Sequence, residues 1–406
     1  MSALAKHPDL PEPPVSDLDP YSMETLENPH PFYAALRDAG PVVFLPKYGV
    51  YATGRYDEVR QVTTDWERFT SESGVGITDA RDPKFRGRPP SALVEVDPPA
   101  HTKTRRVANR LMSPVIIRSW RWVFEEKAKE TVDRVIQMGT FDGMRDLIEP
   151  IVFGGFPKAI GIRFDEAAIR AIGYMSFNQT GPENDLYFKG LKAGEPFMEW
   201  FLAACQSDAT DPGSIAAGFF EAEAAGELDP GIASNIVRSL VRGGMDTTMS
   251  GMGSTLYHLA ANPDQYELLK QNPHRTRHVF DEGLRMEAPN HVVYRCTVSG
   301  GAELSGYWLR GDTKVGTFHT AANHDPRFWK DPGKFDIFRE TANIHASLGA
   351  GQHNCIGQNV ARLEAECMMA ELMKRDVRLE LAGEPKYLIH NQLRIMESIP
   401  LRVVPA

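Results

Sequence analysis

The stretch Leu348-Gly349-Ala350-Gly351-Gln352-His353-Asn354-Cys355-Ile356-Gly357 constrains this chain more than any other. Glycines at 349 and 351 permit positive φ and a tight backbone turn. Cys355 sits at the tip, and a long helical pattern runs from Gln358 to Lys374. Such a loop holds one sulfur just ahead of a helix N-terminus, where backbone N–H groups and the helix dipole favour a thiolate. Two readings are open from these residues alone. One is a buried structural cysteine in a Gly-rich turn, the usual fate of a free thiol. The other is an axial thiolate for a haem iron. The Gly-x-Gly-x-His-x-Cys-x-Gly context favours the second.

The remaining cysteines, Cys205, Cys296 and Cys367, show no paired spacing, so neither a disulfide framework nor a zinc site is read. A net charge of −9 argues against nucleic acid as a partner. Apolar residues make up 42%, enough for a large core, yet no apolar run reaches membrane-spanning length and the N-terminus lacks a signal-peptide pattern. A cytoplasmic monomer with no membrane association is expected. Residues 1–19 are Pro-rich and read as a flexible arm; residues 20–406 show no linker and read as one domain, mainly α with small β-sheets.

Along the chain, helices are predicted over 31–39, 56–64, 117–137, 144–160, 167–180, 195–207, 276–286 and 358–374, with 181–194 as a connecting loop. A hairpin is predicted over 41–44 and 50–53, and a strand over Val292–Thr297. Residues 69–99 form a long aperiodic stretch, which in compact domains is commonly functional. After Asp97-Pro98-Pro99, a helix carries His101 and Arg105 at i,i+4. That face suits an anion, or is simply a solvated basic helix start. Arg106 and Arg110 lie on other faces and suit docking of an acidic electron donor.

From 230 to 261 one long helix is predicted, on the order of 45 Å at 1.5 Å per residue. Its middle reads Arg242-Gly243-Gly244-Met245-Asp246-Thr247-Thr248. Two glycines inside a helix cost about 1 kcal/mol each and are tolerated where something approaches the backbone. The Thr hydroxyls can bond back to carbonyls and distort the ladder. Two helices with a Gly break is the other reading.

Taken together, the Cys355 loop, Glu282-Gly283-Leu284-Arg285 and the Gly243 to Thr248 segment resemble the cytochrome P-450 family of haem-thiolate monooxygenases, from about Pro29 to the end. The resemblance implies haem b with Cys355 as its axial metal ligand. It implies that His101, Arg105, Arg295 and His353 hold the haem propionates. Gly243 and Gly244 would make room for dioxygen, and Asp246 and Thr247 would form the acid–alcohol pair that delivers protons. Glu282 and Arg285 would be structural. Leu348 stands where the family usually has Phe. Electrons would come from a separate iron–sulfur ferredoxin and its flavin-dependent reductase, since no reductase domain is seen in the 406 residues. A haem carrier without turnover, or a peroxide-driven enzyme, would not need the Asp246–Thr247 pair.

Finer segments, Arg88-Pro89-Pro90-Ser91, Arg238-Ser239 and Phe177-Asn178, resemble a bacterial subfamily that O-demethylates para-methoxybenzoate. There Arg88, Ser91, Arg238 and Ser239 would hold a carboxylate and Phe177 would flank the ring. Thr180, Tyr294, Arg242 and Gly243 depart from the subfamily pattern and would make the pocket more polar and roomier. Arg242 would bind substrate or pair with Asp246, and the turn around Ile395 would reach into the pocket. Another small substrate, such as a terpenoid or phenol, is the alternative.

Overall fold

The computed structural model describes residues 9–82 and 89–405. Helices dominate because apolar residues recur at helical spacing and bury one face. The helix Gln358–Met373 starts directly after the Cys355 loop and buries Val360, Leu363, Cys367, Met368 and Leu372. It packs against the helices Arg121–Met138 and Thr276–Met286. These form the floor beneath the Cys355 loop.

A five-stranded sheet lies to one side, in the order Val43–Leu45, Val50–Thr53, Lys314–Phe318, Val292–Thr297, Phe69–Thr70. Val50–Thr53 runs parallel to Lys314–Phe318 and the other neighbours are antiparallel. Lys314–Phe318 is buried along its whole length, as a central strand covered on both faces must be. Residues 11–19, part of the stretch 1–19 expected as a loose arm, are docked against the edge strand Val43–Leu45, the turn after it and the separate strand Tyr307–Leu309. Trp308 N–H donates to Pro11 O at 2.9 Å, Phe44 N–H to Pro14 O at 2.8 Å, and Tyr48 Oη to Asp19 at 2.5 Å.

The helix expected over 230–261 is two, Ile232–Gly244 and Asp246–Ala261, interrupted at Met245. Thr247 Oγ1 donates to Gly243 O at 2.6 Å and Thr248 Oγ1 to Gly244 O at 2.7 Å. Side-chain hydroxyls thus occupy carbonyls at the point where two glycines already weaken the helix. The stretch 181–194, expected as a loop, contains the helix Asp185–Gly194, whose first turn is capped by Asn184 Oδ1 accepting from Tyr187 N–H. The turn residues Gly181-Pro182 mark only its approach. A further helix, Ile215–Ala224, capped by Ser214, carries no strong amphipathic pattern and was not anticipated.

Glu282 and Arg285 are both fully buried. Arg285 Nε donates to Glu282 Oε2 at 2.7 Å and its Nη2 to Oε1 at 2.9 Å. The remaining guanidinium hydrogens reach the carbonyls of Asn323, Pro332 and Lys334. Arg339 Nε and the Asp336 N–H complete the shell around Glu282 at 3.1 Å each. A buried ion pair is tolerated only when its spare donors and acceptors are filled in this way. The network ties the irregular segment 326–345 to the floor of the site.

Candidate active site

The Cys355 loop and the broken helix face each other across a cavity of about 1430 Å³ of atom-free space, the open solvent at its mouth included. Gly349 and Gly351 have φ of 70° and 65°, and a side chain at Gly351 would press on Thr64. The loop closes on itself through Cys355 N–H donating to Leu348 O at 2.8 Å. This turn leaves the Cys355 sulfur on the cavity wall, with Leu348 beside it. Burial pushes the thiol up, while the N–H groups of Gly357 and Gln358 and the cations Arg105 and Arg362 oppose it. A metal cation in the cavity would shift that balance to the thiolate.

At one end of the cavity lies a cluster of donors. The His101 and His353 rings are 4.3 Å apart. His101 Nε2 and His353 Nδ1 are buried with no partner. Arg105 and Arg295 line the same wall. Burial lowers His101 to about 4, with His353 and Arg105 adding to the effect, and lowers Arg295 to about 10. Burial also lowers His353, opposed by Asp97, whose Oδ1 is 3.6 Å from His353 Nε2. Buried nitrogens without partners are costly unless a bound group satisfies them. Two imidazoles and two guanidiniums at the rim of an apolar cavity fit the two carboxylates of a porphyrin. Asp97, which in sequence marks only a helix start, accepts from Thr70 Oγ1, Ser71 N–H and His353.

On the opposite wall Gly243 and Thr247 face the cavity. The two glycines do different work. A Cβ at Gly243 would meet nothing within 4 Å, so this residue opens the cavity; a Cβ at Gly244 would collide with the Phe156 ring, so that residue permits close packing. Asp246 turns its carboxyl toward the helix Glu166–Asn178, into space that exists because residue 173 is glycine. Burial raises Asp246 to about 7; Arg170 opposes this and Glu149 adds to it. Arg170 is itself paired with Glu149 at 2.6 Å.

The residues expected around substrate separate into two groups. Phe177, Ser239 and Gly243 line the cavity. Ser91 stands directly behind, its Oγ 2.8 Å from Ser239 Oγ. Arg88 lies outside the described residues. Arg238 and Arg242 share the neighbouring helix face at i,i+4. Both act on the buried thiol of Cys205, and Arg242 lies 5.9 Å from the Phe201 ring. The charges that act on the Asp246 carboxyl are Arg170 and Glu149, and Arg242 Nε donates to Arg238 O at 3.4 Å.

Tyr294 is on the far face of its strand: Val293 and Arg295 face the cavity, whereas Tyr294 Oη meets Tyr21 Oη at 3.0 Å, as strand alternation requires. Thr180 Oγ1 contacts Phe177 O at 2.7 Å and Gln392 Oε1 at 2.5 Å, ending its helix. It lines a smaller neighbouring cavity of about 500 Å³. Ile395 pairs with Leu388 in a two-stranded sheet and packs on the core. Among the described residues, no helix is long and apolar enough to cross a membrane.

The family model for cytochrome P450 matches residues 219–392. Over 396 residues the chain is 37% identical to Cytochrome p450 CYP199A2 of Rhodopseudomonas palustris, covering 97% of this chain and 95% of the relative. It is 25% identical to linalool 8-monooxygenase of Pseudomonas putida, over 96% and 99% of the two chains. The solved structure of cytochrome P450 CYP109Q5 from Chondromyces apiculatus matches with a TM-score of 0.79 at 25% identity, over 95% and 97%. That of CYP109E1 from Bacillus megaterium matches at 0.81 and 23% identity, over 94% and 99%. With these similarities and with a cavity whose thiol and donor set fit haem b, the chain belongs to the cytochrome P450 family of haem b monooxygenases.

Proposed function

We propose that this monooxygenase oxidises the para substituent of a small aromatic carboxylic acid, by O-demethylation when that substituent is methoxy and by hydroxylation otherwise. Haem b, when bound, supplies dioxygen activation. Cys355 would hold its iron through the thiolate, and His101, Arg105, Arg295 and His353 would hold its propionates by charge-assisted hydrogen bonds. Thr247 presents a hydroxyl to the cavity, and Asp246 carries protons to it from the Arg170–Glu149 side. A carboxyl poised near neutrality both takes and gives a proton. Gly243 leaves room in the cavity, and Phe177 would flank the aromatic ring.

The observation that carries the substrate reading is the hydroxyl of Ser239 on the wall of a largely apolar cavity, with the buried Ser91 hydroxyl 2.8 Å behind it. An aromatic acid fills such a site with its ring on apolar walls and its carboxylate on the hydroxyls. Hydroxylation of a methoxy carbon gives a hemiacetal, which collapses to a phenol and formaldehyde. Over the cycle one dioxygen, two electrons and two protons are consumed and one water is released. The electrons come from a separate ferredoxin with its flavin-dependent reductase, in the cytoplasm. Arg106 remains exposed for that contact, while Arg110 is paired with Glu227 at 2.9 Å.

The test is a Soret titration of the haem-loaded protein with para-methoxybenzoate and with its methyl ester. Leaving buried polar partners without a counterpart costs about 1–3 kcal/mol, so the acid should bind roughly tenfold or more tightly. Equal affinities overturn the acid reading, and preference for a neutral terpenoid would replace it.

A further inference from the structure

The backbone on both sides of Ser91 is clasped to the helix Ile232–Gly244 by the Asn235 amide. Asn235 Oδ1 accepts the Ala92 N–H at 2.8 Å, and Asn235 Nδ2 donates to Pro90 O at 2.9 Å. The two backbone groups that flank Ser91 are therefore taken up by a single side chain, which sets both the position and the direction of the segment. One turn along the helix, Ser239 Oγ donates to the Asn235 carbonyl at 2.9 Å and lies 2.8 Å from Ser91 Oγ. Glu95 Oε2 accepts the Ser91 N–H at 2.7 Å, and the Leu93 N–H donates to Ser91 Oγ at 3.3 Å.

Counting protons shows what this arrangement offers. Each serine has one hydroxyl hydrogen. If Ser239 donates to the Asn235 carbonyl, Ser91 donates to Ser239, and neither hydrogen faces the cavity. If Ser239 instead donates to Ser91, the Ser91 hydrogen is released for another acceptor. Alternatively, Ser239 turns its hydrogen directly into the cavity that it lines, while still accepting from Ser91. A carboxylate obtains a donor from any rearrangement of this kind only while the two oxygens stay within hydrogen-bond range. That range is set by where residues 90–92 sit on the helix.

We propose that Asn235 is a positioning residue for substrate selection: by clasping Pro90 and Ala92 it fixes the Ser91–Ser239 separation, and through it the preference for an acid over a neutral analogue. This rests on the reading that the substrate carboxylate meets these serines.

The experiment compares the haem-loaded full chain with Asn235→Ala and with Asn235→Leu, which keeps the branched shape but has no polar atom. Soret titrations give the affinities for para-methoxybenzoate and its methyl ester, and hydrogen exchange follows the Ala92 amide. The expected result is exchange about tenfold faster in both variants, with the acid-to-ester preference reduced about tenfold and the ester affinity nearly unchanged. A merely structural role would weaken both ligands together. Wild-type protein that binds acid and ester alike removes the carboxylate reading and this proposal with it. A wild-type preference retained in both variants overturns the proposal alone. Faster exchange with an unchanged preference also overturns it, since Asn235 would then hold the loop and nothing more.

Discussion

Asp246 should make the folded protein less stable as pH rises, and Asp246→Asn should remove that loss. Burial raises its carboxyl from the ordinary 3.8 to about 7. In the unfolded chain it titrates near 3.8, so between about pH 4 and 7 the native state holds a proton that the unfolded state has released. Stability falls wherever the native state binds more protons, so this contribution is fully present below pH 4 and lost by pH 7. The gap between the two values corresponds to about 4 kcal/mol. In Asn the group no longer titrates. The variant should therefore match wild type at pH 4 and exceed it progressively, reaching about 5 °C in thermal midpoint at pH 8 for a chain of this length. The assay is thermal unfolding of the haem-loaded protein at four pH values between 4 and 8, taken as the difference between variant and wild type. A difference that stays constant across that range refutes the assignment of the buried titrating group. The same variant should lose most of its turnover, because an amide cannot pass a proton on. An acid that lowers stability yet is kept is the trade expected at a working site.

Cys355→Ala should abolish the red-shifted ferrous–carbonyl band that thiolate ligation produces, and survival of that band would exclude Cys355 as ligand. Thr247→Ala should leave the substrate-induced Soret shift nearly intact while diverting reducing equivalents to hydrogen peroxide; tight coupling in the variant contradicts its role in proton delivery. Glu282→Ala strands the buried Arg285 guanidinium and should cost about 3–5 kcal/mol, read as a lowered denaturant midpoint. Gly244→Ala forces a methyl into the Phe156 ring and should cost about 1–3 kcal/mol, whereas Gly243→Ala meets open space in a helix and should raise stability by up to about 1 kcal/mol while weakening binding of the bulkier aromatic acids.

The parts of the site legible in the sequence are those where local chemistry dictates geometry. Two positive-φ glycines and a cysteine ahead of a helix specify a sulfur at a loop tip, and the loop forms as expected. His101 and Arg105, on one helix at i,i+4, are electrostatic neighbours, with Arg105 on the cavity wall and His101 behind it against the His353 ring. Asn235 and Asp97 were not legible. A polar residue on a helix reads as solvent-facing, and an Asp before a helix reads as a cap. What makes each of them matter is a partner far away in sequence: Pro90 and Ala92 for one, His353 for the other.

At the substrate wall, neighbours in sequence part company on a face. Arg238 and Ser239 are adjacent, yet a helix turns 100° per residue, so Arg238 goes with Arg242 and Ser239 with Gly243. The first pair acts on Cys205 and the second lines the cavity. Tyr294 is adjacent to two cavity residues and therefore, on a strand, faces away from both. Glycine shows the complementary limit. Gly173, Gly243 and Gly244 all sit in helices and all declare that something comes close or that space is needed. Only the fold says that the demand comes from the Asp246 carboxyl at the first, from the cavity at the second and from the Phe156 ring at the third. Periodicity thus assigns a residue to a face, while the identity of what meets that face is a long-range fact, and it is that fact which separates a substrate contact from a packing contact.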